Sequence, residues 1–166
     1  AALSPIAPLP EGTAERLATW SSELNRWQRA QRLVGWKKPY DLLHEGIARA
    51  WAGVHLLVDR PGTLLDLGSG AGLPGLVAAA ANPERTVHLV EARRKRASFL
   101  SAAVRAMQLP NVHVHACREE ELQGVEPQLL SARAFASPLD IVAAAERWGA
   151  TACLIGSSRA RLPQTG

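Results

Sequence analysis

The chain has 166 residues, 47% of them hydrophobic and 20% charged, which predicts one sizeable core in a single domain with an N-terminal extension. No apolar run approaches the roughly 20 residues that span a bilayer, and the opening residues do not resemble a signal peptide, so we expect a soluble, cytoplasmic protein with no membrane partner. A formal net charge of +4 and a sequence pI of about 9.7 favour a polyanionic partner. The two cysteines are far apart and lack C-x-x-C spacing, which argues against a metal site or a disulfide framework.

Two amphipathic helices are predicted before the first strand. Apolar residues recur at three-four spacing from Thr13 to about Val34, and again from Tyr40 to Val58. Basic residues fall largely off the first apolar stripe, at Arg16, Arg26, Arg29 and Arg32. Either a solvated face or an RNA-contacting face explains these arginines.

The stretch from Thr63 to Gly75, TLLDLGSGAGLPG, indicates a buried strand, a glycine turn and the start of a helix. Gly68, Gly70 and Gly72 stand at alternate positions, so the backbone can turn tightly and approach a ligand without a Cβ in the way. The N-terminus of the following helix offers unpaired N–H groups to an anionic group. This stretch therefore predicts a nucleotide-like cofactor.

Two classes of cofactor fit the glycine turn. The segment Gly70–Gly75 satisfies the G-x-G-x-x-G pattern of dinucleotide-binding folds, which would make the protein a nicotinamide-dependent oxidoreductase. However, Asp66 lies two residues before Gly68, and the resulting D-x-G-x-G-x-G resembles the first motif of class I S-adenosylmethionine-dependent methyltransferases. Pro74 would also crowd the helix end on which a dinucleotide's pyrophosphate rests. S-adenosylmethionine is therefore the favoured cofactor.

The second predicted strand, Thr86–Glu91, ends in an acidic residue about twenty positions after the glycine turn, where a carboxylate accepts hydrogen bonds from ribose hydroxyls. The helix predicted next, Arg93–Met107, carries the basic run Arg93–Arg96 in its first turn. Cations are unfavourable at that end of the helix dipole. The run is either a solvent-exposed charged face or a surface that contacts RNA phosphates beside the cofactor.

Three further strands and two helices are predicted: strands Val112–Ala116, Gln128–Ala134 and Thr151–Gly156, and helices Leu73–Ala81 and Asp140–Trp148. This alternation predicts a parallel sheet with right-handed crossovers and a ligand at the carboxyl ends of the strands. We therefore assign residues 1–60 to an N-terminal arm and helices that pack on the sheet, and residues 61–166 to the cofactor-binding methyltransferase domain.

Four segments together resemble one family: Asp66–Gly75, Lys95-Arg96 with Phe99-Leu100, Arg118–Glu120, and Arg133–Ser137 with its Arg-Ala-Phe-Ala run. The family is that of the bacterial 16S ribosomal RNA guanine-N7 methyltransferases, also called glucose-inhibited division protein B. The resemblance extends from about Leu24 to Gly156. It implies a Rossmann-like class I S-adenosylmethionine-dependent methyltransferase fold, an α/β fold with a parallel sheet and an N-terminal helical extension.

The glycine motif and the resemblance together imply that nine residues bind S-adenosylmethionine: Asp66, Gly68, Gly70, Gly72, Leu73, Glu91, Glu119, Glu120 and Arg133. Glu91 would hold the ribose, the Glu119-Glu120 pair would lie against the adenine, and Arg133 would pair with the methionine carboxylate or with RNA phosphate. The implied substrate is a guanine N7 of 16S ribosomal RNA in the small subunit. N7 has a free lone pair, so no acid or base residue is assigned to catalysis.

The chain departs from the family pattern at several positions. Arg32-Leu33-Val34 replaces Asn-Leu-Thr, His44 lacks the Asp-Ser that follows it in the family, and Ile155 replaces a lysine. We also expect the final strands of the usual seven-stranded sheet to be missing, which leaves an edge for a protein partner or the tail to cover. The alternative function is therefore a degenerate homologue that acts as a non-catalytic cofactor-binding, RNA-binding or assembly subunit.

The last five residues, Leu162–Gly166, read LPQTG and resemble a sortase recognition sequence. A cell-wall sorting signal needs an apolar span after this motif, and none follows in the sequence. We interpret the motif as a coincidence or a cloning remnant.

Overall fold

The computed structural model describes residues 7–36, 38–133 and 137–156, and within these ranges helices and strands alternate. In chain order the elements are α1 (Thr13–Gln28), α2 (Pro39–Asp41), a π-helix (Leu42–Ala48), α3 (Arg49–Val54), β1 (Leu64–Leu67), α4 (Gly75–Ala81), β2 (Val87–Val90), α5 (Arg94–Ala106), β3 (Val112–His115), a 3-10 helix (Glu119–Glu121), β4 (Leu129–Arg133), α6 (Pro138–Arg147) and β5 (Ala152–Gly156). Part of the Arg-Ala-Phe-Ala segment and the whole LPQTG motif lie outside the described residues.

The five strands form one parallel sheet in the order β3-β2-β1-β4-β5, which confirms the predicted fold class. β1 is central, with Leu64 opposite Val87 of β2 and Leu129 of β4. All four β1 residues are buried, because helices cover both faces of the sheet there. The strand order reverses beside β1, and sheets of this class bind ligands in the crevice outside the carboxyl ends at that point.

Two apolar clusters hold the helices on the two faces of the sheet. On the first face, side chains of α1, α3, α4 and α5 pack together, and α4 is buried along its whole length because its alanines allow close approach to the strands. On the second face, Ile141, Ala144 and Ala145 of α6 pack in one cluster with Leu65 and Leu130. The helices of the N-terminal segment thus share the first core.

The first helix is shorter than its apolar spacing predicts. α1 ends at Gln28 and does not continue to Val34. The Gln28 side chain accepts hydrogen bonds from the N–H groups of Leu33 and Val34, at 3.2 and 3.1 Å, and donates one to the Val34 carbonyl oxygen at 3.3 Å. One side chain therefore satisfies three backbone groups and holds the chain in a turn after the helix.

The second predicted helix is divided into three parts, α2, the π-helix and α3, and it ends at Val54. The same apolar spacing suits an α-helix and a helix with one widened segment, so the prediction did not reveal the π-helix. Among the described residues, no helix is long and apolar enough to cross a membrane.

A cluster of three histidines lies on the second face of the sheet, where β2 pairs with β3. Nδ1 of His88 lies 2.8 Å from Nε2 of His115, and the His113 ring stacks on His88 with the centroids 5.1 Å apart. Burial, together with His115 and His113, lowers the pKa of His88 to about 4. His88 is therefore neutral at physiological pH.

Candidate cofactor site

The glycine turn, residues 68–75, joins β1 to α4 at the carboxyl edge of the sheet. Gly68, Gly70 and Gly72 have φ angles of 64°, 58° and 96°, which residues with a Cβ rarely adopt. A Cβ on Gly72 would also collide with the Leu76 side chain, whereas the nearest atoms to a Cβ on Gly70 would lie 3.8 Å away. The turn therefore has the tight backbone that the sequence predicted, and it is packed on one side and more open at Gly70.

Glu91 follows β2 and contacts this turn. The residue is only 6% exposed, and its Oε2 accepts a hydrogen bond from the Gly70 N–H at 3.0 Å. Its Oε1 accepts one from the Arg93 N–H at 2.9 Å. A carboxylate has about four acceptor positions, so each oxygen can accept a further bond. The structure thus brings together the acidic residue and the glycine turn, which the sequence separates by a helix and a strand.

Asp66, in β1, is completely buried beneath the turn. Its Oδ1 accepts a hydrogen bond from the Ser131 hydroxyl at 2.6 Å, whereas Oδ2 has no partner among the described residues. Burial is the largest influence on the pKa of Asp66 and raises it to about 6. Ser131, Ser69 and the nearby Gly75 amide oppose this shift in part, although the amide does not meet hydrogen-bond geometry with Oδ2. The site therefore holds a buried negative charge at neutral pH that one hydroxyl satisfies only in part.

Asp66→Asn is expected to raise the free energy of unfolding at pH 7 by on the order of 2 kcal/mol. The folded protein binds the Asp66 proton more tightly than the unfolded chain, so stability falls as the pH rises from 3.8 to about 6. Asparagine keeps a partner for Ser131 and removes this loss. Urea unfolding at several pH values measures the effect, with exposed Asp59→Asn as the control. If the free energy of unfolding changes with pH between 4 and 6 in the same way for Asp66→Asn as for the wild type, the prediction is wrong.

The N-terminal helices hold the turn from the other side. Trp20 of α1 is fully buried, and its indole N–H donates to the Ala71 carbonyl oxygen at 2.9 Å. Gly46 of the π-helix lies so close to the turn that an added Cβ would be 3.4 Å from Leu73 and 3.2 Å from Trp36. Trp20 is one of the apolar residues whose spacing predicted the first helix, but that spacing gave no signal for its bond to the turn.

Arg133 lies at the carboxyl end of β4, as predicted, and reaches the same N-terminal layer. Its guanidinium donates to the Glu45 carbonyl oxygen at 2.9 Å and stands 5.2 Å from the centre of the Trp36 ring. Burial lowers the pKa of Arg133, as does Arg49, while Glu45 raises it. Arginine stays charged in proteins, so this side chain places a positive charge beside the end of the central strands. Trp36 was not among the site residues that the sequence predicted.

The two glutamates predicted to lie against the adenine have different surroundings. Oε1 of Glu119 accepts hydrogen bonds from Arg147 at 2.6 Å and from the Trp148 indole at 3.0 Å. This side chain therefore anchors the 3-10 helix to α6, a contact that the sequence did not indicate. Glu120 is exposed beside it. Oε1 of Glu119 thus already accepts two hydrogen bonds, whereas Oε2 has acceptor positions left.

The sequence of the chain is similar to those of known proteins. Residues 13–154 match the family model described as rRNA small subunit methyltransferase G. The Ribosomal RNA small subunit methyltransferase G of Granulibacter bethesdensis is 43% identical over 130 residues, which cover 78% of the chain and 60% of that relative. The protein of the same name from Paracoccus denitrificans is 35% identical, with 80% and 69% covered. The chain thus spans about 60% of the length of the first of these relatives.

Solved structures show the same fold. A methyltransferase from Podospora anserina bound to SAH aligns with 89% of the chain at a TM-score of 0.56 and 15% identity, covering 68% of that protein. The branched-chain polyamine synthase C9 mutein from Thermus thermophilus aligns with 84% of the chain, also at 0.56, with 22% identity and 42% of its own length covered. The chain therefore has the Rossmann-like fold of class I S-adenosylmethionine-dependent methyltransferases.

Proposed function

The chain belongs to the rRNA small subunit methyltransferase G family, GidB, and we propose that it transfers a methyl group from S-adenosylmethionine to N7 of a guanine in 16S ribosomal RNA. The observation that carries the proposal is the bond between Glu91 and the Gly70 amide, because it joins to the glycine turn the carboxylate that would hold the ribose. The net charge of +4 supports a polyanionic substrate.

The hydrogen-bonding groups at the turn fit this cofactor. Glu91 has acceptor positions left for the ribose hydroxyls, and Asp66, whose Oδ2 has no partner among the described residues, would add negative charge on the side of the positive groups of the methionine moiety. Gly68, Gly70, Gly72 and Leu73 would line the turn, with the Glu119-Glu120 pair beside the adenine. S-adenosylmethionine supplies an electrophilic methyl group on a sulfonium centre. The residues of the chain would then have to align the substrate with this methyl group and exclude water.

The chain would contribute alignment and exclusion of water. Guanine N7 carries a lone pair without deprotonation, so no general base is needed to create the nucleophile. Arg133 uses one of its five N–H donors on the Glu45 carbonyl oxygen and keeps others for a methionine carboxylate or an RNA phosphate. Trp36 fixes the position of this guanidinium. No residue is assigned to proton transfer.

The chain would act on the small ribosomal subunit in the cytoplasm, and no membrane would take part. A protein partner or further strands would cover the edge of the sheet at β5. In the part of the chain that the structure describes, β5 pairs only with β4, and each of its residues is half-buried. Such an edge offers unpaired backbone groups to another strand.

Methyl transfer to small subunits that lack the modification tests the function. The chain should bind S-adenosylmethionine in titration calorimetry and incorporate label into 16S ribosomal RNA, and chemical cleavage at N7-methylguanosine should locate it. Subunits that already carry the modification are the control and should accept no label.

Two other results would point elsewhere. Cofactor binding without any incorporation would leave the non-catalytic binding or assembly role. Binding of NADH in place of S-adenosylmethionine would overturn the cofactor assignment itself.

A further inference from the structure

We propose that one continuous basic surface, the basic ridge, docks RNA phosphates beside the cofactor site. It consists of Arg29, Arg32, Arg93, Arg94, Lys95 and Arg96. The inference rests on the proposed function and adds the place where the RNA backbone contacts the chain.

Two helices that are distant in sequence form the ridge together. The C-terminal part of α1 packs on α5 through Trp27 and Phe99, whose ring centroids are 6.0 Å apart in an edge-to-face arrangement. Just after α1, the Gln31 side chain donates to the Lys95 carbonyl oxygen at 3.1 Å. These contacts place the arginines that follow α1 next to the basic first turn of α5. The two basic segments of the sequence are thus one surface.

The ridge cations are not neutralised by carboxylates within the described ranges. The ion pairs found there use Arg26, Arg49 and Arg147 and none of the ridge residues. The first turn of α5 also has no acidic residue and no side-chain cap. Cations at this end of a helix are unfavourable, and neighbouring like charges add repulsion. A polyanion on the ridge would relieve both costs.

The ridge leads directly to the glycine turn. Arg96 is half-buried at its inner end, and its Nη1 lies 3.8 Å from the position of a Cβ on Gly70. Arg93, Arg94 and Lys95 come directly before it and are exposed. A nucleotide whose phosphate is held on this row would therefore stand close to the place proposed for the methyl donor.

The composition of the surface favours RNA over an acidic protein. Five of its six cations are arginines, whose planar guanidinium groups match phosphate oxygens in bidentate geometry. The cores of protein interfaces are apolar, but the exposed large apolar side chains of the described residues, Leu9, Tyr40, Leu43, Leu56, Leu139 and Val142, lie outside the ridge.

The double variant Arg94→Gln, Lys95→Gln tests the ridge. Binding of a 16S ribosomal RNA transcript should weaken by about 10- to 30-fold at 0.1 M salt, and the slope of log K against log salt should fall by about 1.4, for two lost single-strand phosphate contacts. Its affinity for S-adenosylmethionine should not change. Its unfolding temperature should rise, because two cations leave the unfavourable end of α5.

The matched control is Arg60→Gln, Arg105→Gln, which removes the same charge from exposed positions. Arg60 precedes β1 and Arg105 lies in the last turn of α5, so both are near the amino-terminal edge of the sheet. RNA affinity should change by less than about threefold, because these charges lie more than a Debye length from the ridge and salt screens their effect there. The unfolding temperature should fall, because Arg105 is at the favourable end of the helix dipole.

Three outcomes would overturn the inference. If the wild-type chain methylates RNA but the ridge variant keeps its affinity and salt slope, the ridge is wrong while the proposed function stands. If the chain binds S-adenosylmethionine but no RNA, the ridge and the RNA substrate fall together. If polyglutamate binds as tightly as RNA and with the same dependence on the ridge, the surface is not an RNA site.

Discussion

Trp20→Ala is expected to lower the free energy of unfolding by about 3–5 kcal/mol, because it removes a fully buried indole and leaves a cavity between α1 and the glycine turn. The Ala71 carbonyl oxygen also loses its hydrogen bond from the indole N–H. Urea unfolding followed by circular dichroism measures the change. Since the bond supports the turn, we expect cofactor affinity to fall in the fraction of the protein that remains folded.

Two further variants separate packing from the hydrogen bond. Trp20→Phe keeps most of the ring volume and should cost only about 1–3 kcal/mol, mainly for the unpaired Ala71 oxygen. Trp27→Ala is the matched control, because Trp27 is on the same helix but only half-buried, and it should cost less than Trp20→Ala. If Trp20→Ala unfolds at the same urea concentration as the wild type, the N-terminal helix does not support the turn.

Glu91→Ala is expected to weaken binding of S-adenosylmethionine by about 1–3 kcal/mol, roughly 5- to 150-fold, because a buried carboxylate that accepts hydrogen bonds is lost. Two effects combine in this variant. The Gly70 and Arg93 N–H groups lose their acceptor, which loosens the turn, and the ribose hydroxyls lose theirs. Titration calorimetry measures the affinity, and a thermal melt checks that the protein is folded.

A second substitution distinguishes these effects. Glu91→Gln keeps one acceptor oxygen for the backbone, so it should preserve the turn better than alanine and still weaken the cofactor. Glu84→Ala removes an exposed carboxylate just before β2 and should leave the affinity unchanged. Equal affinity for wild type and Glu91→Ala would remove the ribose assignment.

Much of the fold was predictable because its signals are local. The strand Leu64–Leu67 is apolar on both faces apart from Asp66, as a buried parallel strand must be, and the four strands predicted after it agree with the observed bounds within one residue at each end. Glycines at alternate positions required a tight turn, and all three have positive φ. The position of Glu91 at the end of the second strand was likewise predicted from its spacing after the glycine turn.

The rest depended on contacts between distant residues. Glu119 was predicted to lie against adenine, and nothing in the local sequence indicated that its Oε1 also accepts hydrogen bonds from Arg147 and Trp148. The hydrogen bonds of Gln28 end α1 early, although the apolar spacing continues. The basic ridge exists only because α1 and α5 pack together. Tertiary contacts of this kind leave no periodic signal.

The π-helix imposes a constraint on insertions and deletions. A π-helix closes i→i+5 hydrogen bonds in place of the i→i+4 bonds of an α-helix, so losing a single residue from Leu42–Ala48 would tighten the segment and rotate everything before it. The Glu45 carbonyl oxygen would then move away from Arg133, and Gly46 would leave its place against Leu73. Length is therefore as strictly constrained in this segment as residue identity is in the glycine turn, and homologous chains should align through it without gaps.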